Sequence, residues 1–169
     1  MPTIKSVALR HDGGMRFHAE PSSGHPIDFD DRSSNQGGSP VETVLSALAA
    51  CTAMDVVSIA GKKRQQVDSY EVEVVGLQRD EYPQIYTEIT VTHTFVGRDL
   101  SEAGIQRCIE LSAAKYCPVN AMLSAGATIV HHRYRITSGG SAPYEAEGEV
   151  VATGPYARPD ILPDAADPA

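Results

Sequence analysis

The sequence predicts an α+β fold in which antiparallel sheets wrap around a long buried helix. Three observations carry this: strand-like and helical segments come in runs rather than strict alternation, one helix is apolar or small on nearly every side, and the strands alternate with period two. The chain has 169 residues, 14 Lys+Arg against 22 Asp+Glu, three cysteines and no Trp. That length fits one domain with an appendage.

Ile4 to Arg10 and Met15 to Glu20 flank Asp12-Gly13-Gly14, a hairpin signal because glycine reaches the positive φ that tight turns need. A short strand near Pro26 to Asp30 and a polar loop, Arg32 to Gly38, follow. Ser39-Pro40-Val41-Glu42 then reads as a capping box with proline at the first helical position. The helix it opens runs over about 40–64 and is stopped by Lys62, Lys63 and Arg64, cations placed where the helix dipole is negative. Val44, Leu45, Leu48, Val56, Val57 and Ile59 leave it no polar face, so it needs cover on several sides. A domain of this size cannot easily provide that, and the expectation is a homodimer.

Tyr70, Val72 and Val74, then Ile85 through Phe95, alternate as two long antiparallel strands. Asp99 to Ala114 returns to helical spacing, Pro118 restarts a short helix through Leu123, and Thr128 to Thr137 forms a last strand. These elements make a working domain of 1–137. The remaining 138–169 carry six carboxylates against Arg158 alone, with five prolines, and read as an acidic arm or tail in which 149–152 can add a short strand.

Composition also bounds function. A net charge of -8 repels a phosphate backbone, so nucleic acid is not an expected partner. The longest apolar stretch is cut by Thr52 and Asp55 and Met1 opens no signal-peptide pattern, so neither a membrane span nor membrane association is expected and the chain is placed in the cytoplasm. Cys51, Cys108 and Cys117 are too few for a disulfide framework and should be free thiols there. No metal and no cofactor is expected: there is no C-x-x-C, His131 and His132 point to opposite faces of a strand, and His18, His25 and His93 have no ligand spacing to a cysteine.

The cysteines differ in setting. Cys117 precedes Pro118 at a helix start, where electrostatics favours a thiolate, whereas Cys51 sits mid-helix with Asp55 on the same face opposing its ionisation. Cys108 shares a face with Ile105 and Ile109 and reads as core. A free cysteine in an apolar helix is ordinarily a small hydrophobe, and that reading stands beside any redox role for Cys51.

The run Ser39 through Cys51, Ala53-Met54-Asp55-Val56-Val57, Lys63-Arg64-Gln65 and Lys115-Tyr116-Cys117-Pro118-Val119 resembles the OsmC/Ohr family of osmotically inducible and organic-hydroperoxide-resistance proteins over about 3–137. Gly24-His25 and Gly97-Arg98-Asp99-Leu100 are similar to its OsmC-related branch. The resemblance implies an intertwined homodimer with sites at the subunit interface, acting in the oxidative stress response as a peroxidase on organic hydroperoxides. Cys51 would attack and become a sulfenic acid, Cys117 would close a disulfide with it, and a dithiol such as a lipoylated protein would restore both. The family also activates its attacking thiol with an Arg and a Glu. Arg16 is the positional candidate for the first, with Arg64 and Arg79 in reserve. The family's glutamate directly follows the helix-opening proline, where this chain has Val41, and Glu42 stands one place later. In one continuous helix Glu42 lies roughly 13 Å from Cys51, so capping is its local reading and a role through the partner chain the alternative. Tyr116, beside Cys117, is a candidate pocket residue. The rival to the enzyme is a dimer of the same fold that binds a small apolar ligand and keeps its cysteines for structure.

Overall fold

The computed structural model describes residues 2–31 and 33–154. The chain divides into two units, Met1–Val44 and Leu45–Ala169. In the first, β1 (Val7–His11), β2 (Phe17–Pro21) and β3 (Ile27–Phe29) form an antiparallel sheet in that order. Gly13 and Gly14, at φ 94° and 61°, make the β1–β2 turn. The polar loop that follows is wound around the buried Asp30, whose carboxylate accepts from Ser34 Oγ (2.6 Å) and the Gln36 N–H (3.1 Å).

Helix α1 (Pro40–Lys62) begins at the expected proline and buries one line, Leu48, Thr52, Val56 and Ala60, at i,i+4 spacing. Its far side is bare in the single chain: Met54 is 75% and Val57 56% exposed. One expectation needs correcting here. Despite Thr52 and Asp55, α1 is long and apolar enough, by length and composition, to cross a membrane. Two short polar side chains do not offset so many apolar neighbours, and the same composition suits a helix covered on several sides. The helix stops in a Schellman arrangement, with Gln65 N–H donating to Ala60 O, Arg64 N–H to Gly61 O, and Arg64 itself at φ 55°.

The second sheet orders as β4 (Gln66–Gln78), β5 (Tyr86–Arg98), β6 (Ile129–Gly139) and β7 (Tyr144–Thr153). β4–β5 and β6–β7 are antiparallel, but β5 and β6 run parallel, so the α+β fold carries a mixed sheet. The reason is the helical connection between them, which returns the chain to the starting edge as a parallel pair requires. That connection holds α2 (Glu102–Leu111), a π-helical turn (Ser112–Tyr116) and α3 (Pro118–Ser124). The single helix expected over 99–114 therefore ends early. Cys117 N–H donates to Ser112 O, an i→i+5 bond, and Pro118 cannot continue the α2 ladder. Part of the stretch read as an arm is the ten-residue β7, longer than the strand expected at 149–152. Residues 155–169 of that arm lie outside the described residues.

Alternate residues of β5 and β6 face inward: Ile89, Val91, His93 and Phe95, with Val130, His132, Tyr134 and Ile136. Val56, Ala60, Phe95, Ile105, Cys108 and Ile109 belong to one core cluster. Cys108 is fully buried and donates to Gly104 O, as its apolar face suggests. The other cluster joins Leu48, Ile89, Val91 and Val130 to Cys117, with Cys51 packed against it.

Candidate functional site

Cys51 stands halfway along α1 and is partly exposed, while Cys117, 2% exposed, is the N-cap of α3. Both are free thiols, and Cys51 packs against the buried cluster that contains Cys117. Cys117 Sγ accepts a hydrogen bond from the Asn120 N–H at 3.4 Å. Burial pushes the Cys117 thiol up to about 12, opposed by that N–H and reinforced by Cys51 and Asp55. The helix-start argument, which made Cys117 an acidic thiol, is overturned. Desolvation of a sulfur sealed among apolar side chains outweighs what a seven-residue helix supplies.

Asp55 lies one turn after Cys51. Its Oδ2 accepts from Ser112 Oγ at 3.0 Å, and Ser112, having spent its only proton, accepts from Thr52 Oγ1, also at 3.0 Å. This chain ties α1 to the π-helical turn just ahead of Cys117. Burial raises the Asp55 carboxyl above its usual range, and the Ser112 bond only partly counters that.

Arg16 and Glu42 belong to the N-terminal unit. Arg16 donates to Gln36 Oε1 (3.1 Å) and to the Asp12 carbonyl (3.2 Å), beside a polar cavity of about 440 Å³ that Asp28 and Asp30 also line. Glu42 is in the first turn of α1. Tyr116 is half-buried at the end of the π-helical turn, with Lys115 Nζ 5.2 Å from its ring centre. Arg79 Nε donates to Pro83 O, and Arg64 closes α1.

One group of residues escaped the sequence reading. From Tyr70 on β4, a file of polar side chains crosses beneath α1: Tyr70 OH to His93 Nδ1 (2.7 Å), His93 Nε2 to His132 Nδ1 (3.2 Å), and His132 Nε2 to Asn120 Oδ1 (3.2 Å). Among the described residues no group of three or more His, Cys, Asp or Glu side chains is arranged to hold a metal. His131 and His132 do take opposite faces, His132 fully buried and His131 outside, 3.3 Å from Glu149 Oε2. The available signal was a histidine at an inward position of each of two alternating strands; which strands pair was not readable.

A family model described as OsmC-like protein matches residues 33–132. The chain is 42% identical over 118 residues to protein YhfA of Escherichia coli (strain K12), covering 70% of this chain and 88% of that protein. It superimposes on the crystal structure of a hypothetical protein from Aquifex aeolicus VF5 with a TM-score of 0.73 at 27% identity, covering 82% of this chain and 99% of that one. The organic hydroperoxide resistance protein OhrB of Bacillus subtilis shares the fold, with a TM-score of 0.54 at 20% identity over 78% of this chain and 98% of its own.

Proposed function

This chain belongs to the OsmC-like protein family, and on that premise we propose that it is a thiol-dependent peroxidase reducing organic hydroperoxides in the cytoplasm. The observation that carries this reading is that a partly exposed thiol, Cys51, packs against the buried cluster that holds a sealed one, Cys117. The Cys51 thiolate attacks the hydroperoxide, the O–O bond breaks, and the alkoxide takes a proton and leaves as an alcohol. Cys51 then carries a sulfenic acid. Cys117 attacks the Cys51 sulfur, the S–S bond forms, and the sulfenic hydroxyl departs as water with the Cys117 proton. A dithiol such as a lipoyl group on a protein reduces the disulfide and is itself oxidised.

The apolar side chains packed with the pair, Leu48, Val91 and Val130 among them, favour alkyl hydroperoxides over hydrogen peroxide. On this reading Arg16, and Glu42 through the partner chain rather than along its own helix, are the candidates for activating Cys51, and Tyr116 for lining a substrate pocket. The bare apolar side of α1, with Met54 and Val57 exposed, supports a second copy of the chain as its cover. The experiment is mass spectrometry after one equivalent of cumene hydroperoxide: a Cys51–Cys117 disulfide is expected, and unchanged thiols would remove the reading. A non-enzymatic ligand-binding dimer is the second reading, favoured by the burial and the Asp55 charge that keep Cys117 protonated. It prevails if Cys51→Ser leaves all activity and ligand binding in place with little change in stability.

A further inference from the structure

Asn120 is 1% exposed, and its backbone N–H and both ends of its side-chain amide are hydrogen-bonded. Its backbone N–H points to Cys117 Sγ. Its Nδ2 donates to Ala113 O at 2.8 Å, back across the π-helical turn, and to Thr153 Oγ1 on β7 at 3.1 Å. The carbonyl of Ala113 can only accept, so the amide cannot be reversed, and Oδ1 must face His132. An amide oxygen also only accepts. His132 therefore carries its proton on Nε2, its bare Nδ1 must accept from His93 Nε2–H, and the bare His93 Nδ1 accepts from the Tyr70 hydroxyl. The protons point one way through the whole file, from β4 to α3. Burial pushes both rings well below the ordinary histidine range, which keeps them neutral as this order requires.

Two neutral histidines and an amide in an apolar core cost free energy unless every partner is present, and a fully satisfied network specifies one arrangement. We infer that Asn120 is the positioning residue for the Cys117 sulfur and that the one-way Tyr70–His93–His132 file locks its amide, holding its backbone N–H on Sγ. The inference rests on the reading that Cys117 closes a disulfide with Cys51. Asn120 touches neither peroxide nor Cys51; it acts by fixing where Cys117 stands when closure occurs.

The test uses diamide, a thiol oxidant that needs no peroxide. The Cys51 thiolate adds across its N=N bond, Cys117 attacks the Cys51 sulfur, the S–N bond breaks, and the hydrazine product leaves with both thiol protons. Closure is followed by quenched mass spectrometry, and the first addition is followed separately in a Cys117→Ser background. His132→Leu should slow closure about tenfold, the rate equivalent of one lost hydrogen bond. His132→Gln, whose side-chain N–H can replace Nε2–H, should recover most of that, and the first addition should be unchanged in both. Two-bond proton–nitrogen correlations on nitrogen-labelled wild type should show both buried rings as neutral Nε2–H tautomers. A proton on Nδ1 of either ring, unchanged closure in His132→Leu, or Gln as slow as Leu would overturn the inference. Should His132→Leu not fold, Asn120→Asp decides with the tautomers: it keeps the acceptor for His132 and loses the donor to Ala113, so unchanged closure rejects the assignment. Thiols that close with diamide as described yet ignore cumene hydroperoxide would reject the peroxidase and leave the positioning role standing.

Discussion

Cys51 on α1 packs against the buried cluster that holds Cys117 at the head of α3, although two long strands and a helix separate the two along the chain. The pair is asymmetric, because one sulfur is partly open and the other is sealed. If they act as a redox couple, the asymmetry predicts the order of events. Cys117→Ser should accumulate a sulfenic acid on Cys51, trapped by dimedone, and then overoxidise to sulfinic acid within a few equivalents of peroxide. Cys51→Ser should trap no dimedone at all; trapping on Cys117 in that variant would reverse the assignment.

Asp55 lies close enough to the pair to oppose Cys117 ionisation. Asp55→Asn removes that charge and keeps an oxygen for Ser112 Oγ. Disulfide closure should then run about two- to fivefold faster at neutral pH. A stability change should accompany it. Because burial raises the folded carboxyl above its unfolded value, the wild type loses stability as pH rises through that range. Asp55→Asn should melt higher than wild type at about pH 8, with the gap closing toward about pH 3. Equal melting at both ends would remove the burial argument.

The buried histidines predict an acid limb. Burial lowers His93 to about 3 and His132 to about 4, while both rings in the unfolded chain titrate near the ordinary value. The unfolded state thus binds more protons between those limits. Their contribution is complete above about pH 6.5 and is lost as pH falls, at about 1.4 kcal/mol per pH unit for each ring. Urea midpoints between about pH 7 and pH 4 should show that slope. The double variant His93→Gln/His132→Gln should flatten it, and an equally steep double variant would place the acid sensitivity elsewhere.

Arg64 ends α1 at φ 55°, a left-handed conformation that costs a residue with a Cβ about 1 kcal/mol. Arg64→Gly should therefore raise stability by up to about 1 kcal/mol in denaturant titrations. A clear loss instead would mean that the guanidinium has a contact worth more than the backbone strain.

The proposed second copy on α1 can be tested by charge. Sedimentation should give a dimer for wild type, and Val57→Asp should shift it to monomer because a carboxylate would be buried without a partner. A wild-type monomer at micromolar concentration would end the dimer proposal.

Local chemistry made much of this protein legible. Pro40 after Ser39 marks the start of α1, the cations after Gly61 sit at its end, and period-two spacing marks the inward residues of β5. Two cysteine motifs in order pointed to the family. These features depend on neighbours within a turn or two, so one strand of sequence contains them. The parallel pairing of β5 with β6, the π-helical turn before Cys117 and the file from Tyr70 to Asn120 were set by contacts between distant segments. The same holds for the acidity of Cys117: a helix start promised a lowered value, and burial against β5 and β6 reversed it. Desolvation is a property of what surrounds a group, and only the folded chain supplies the surroundings.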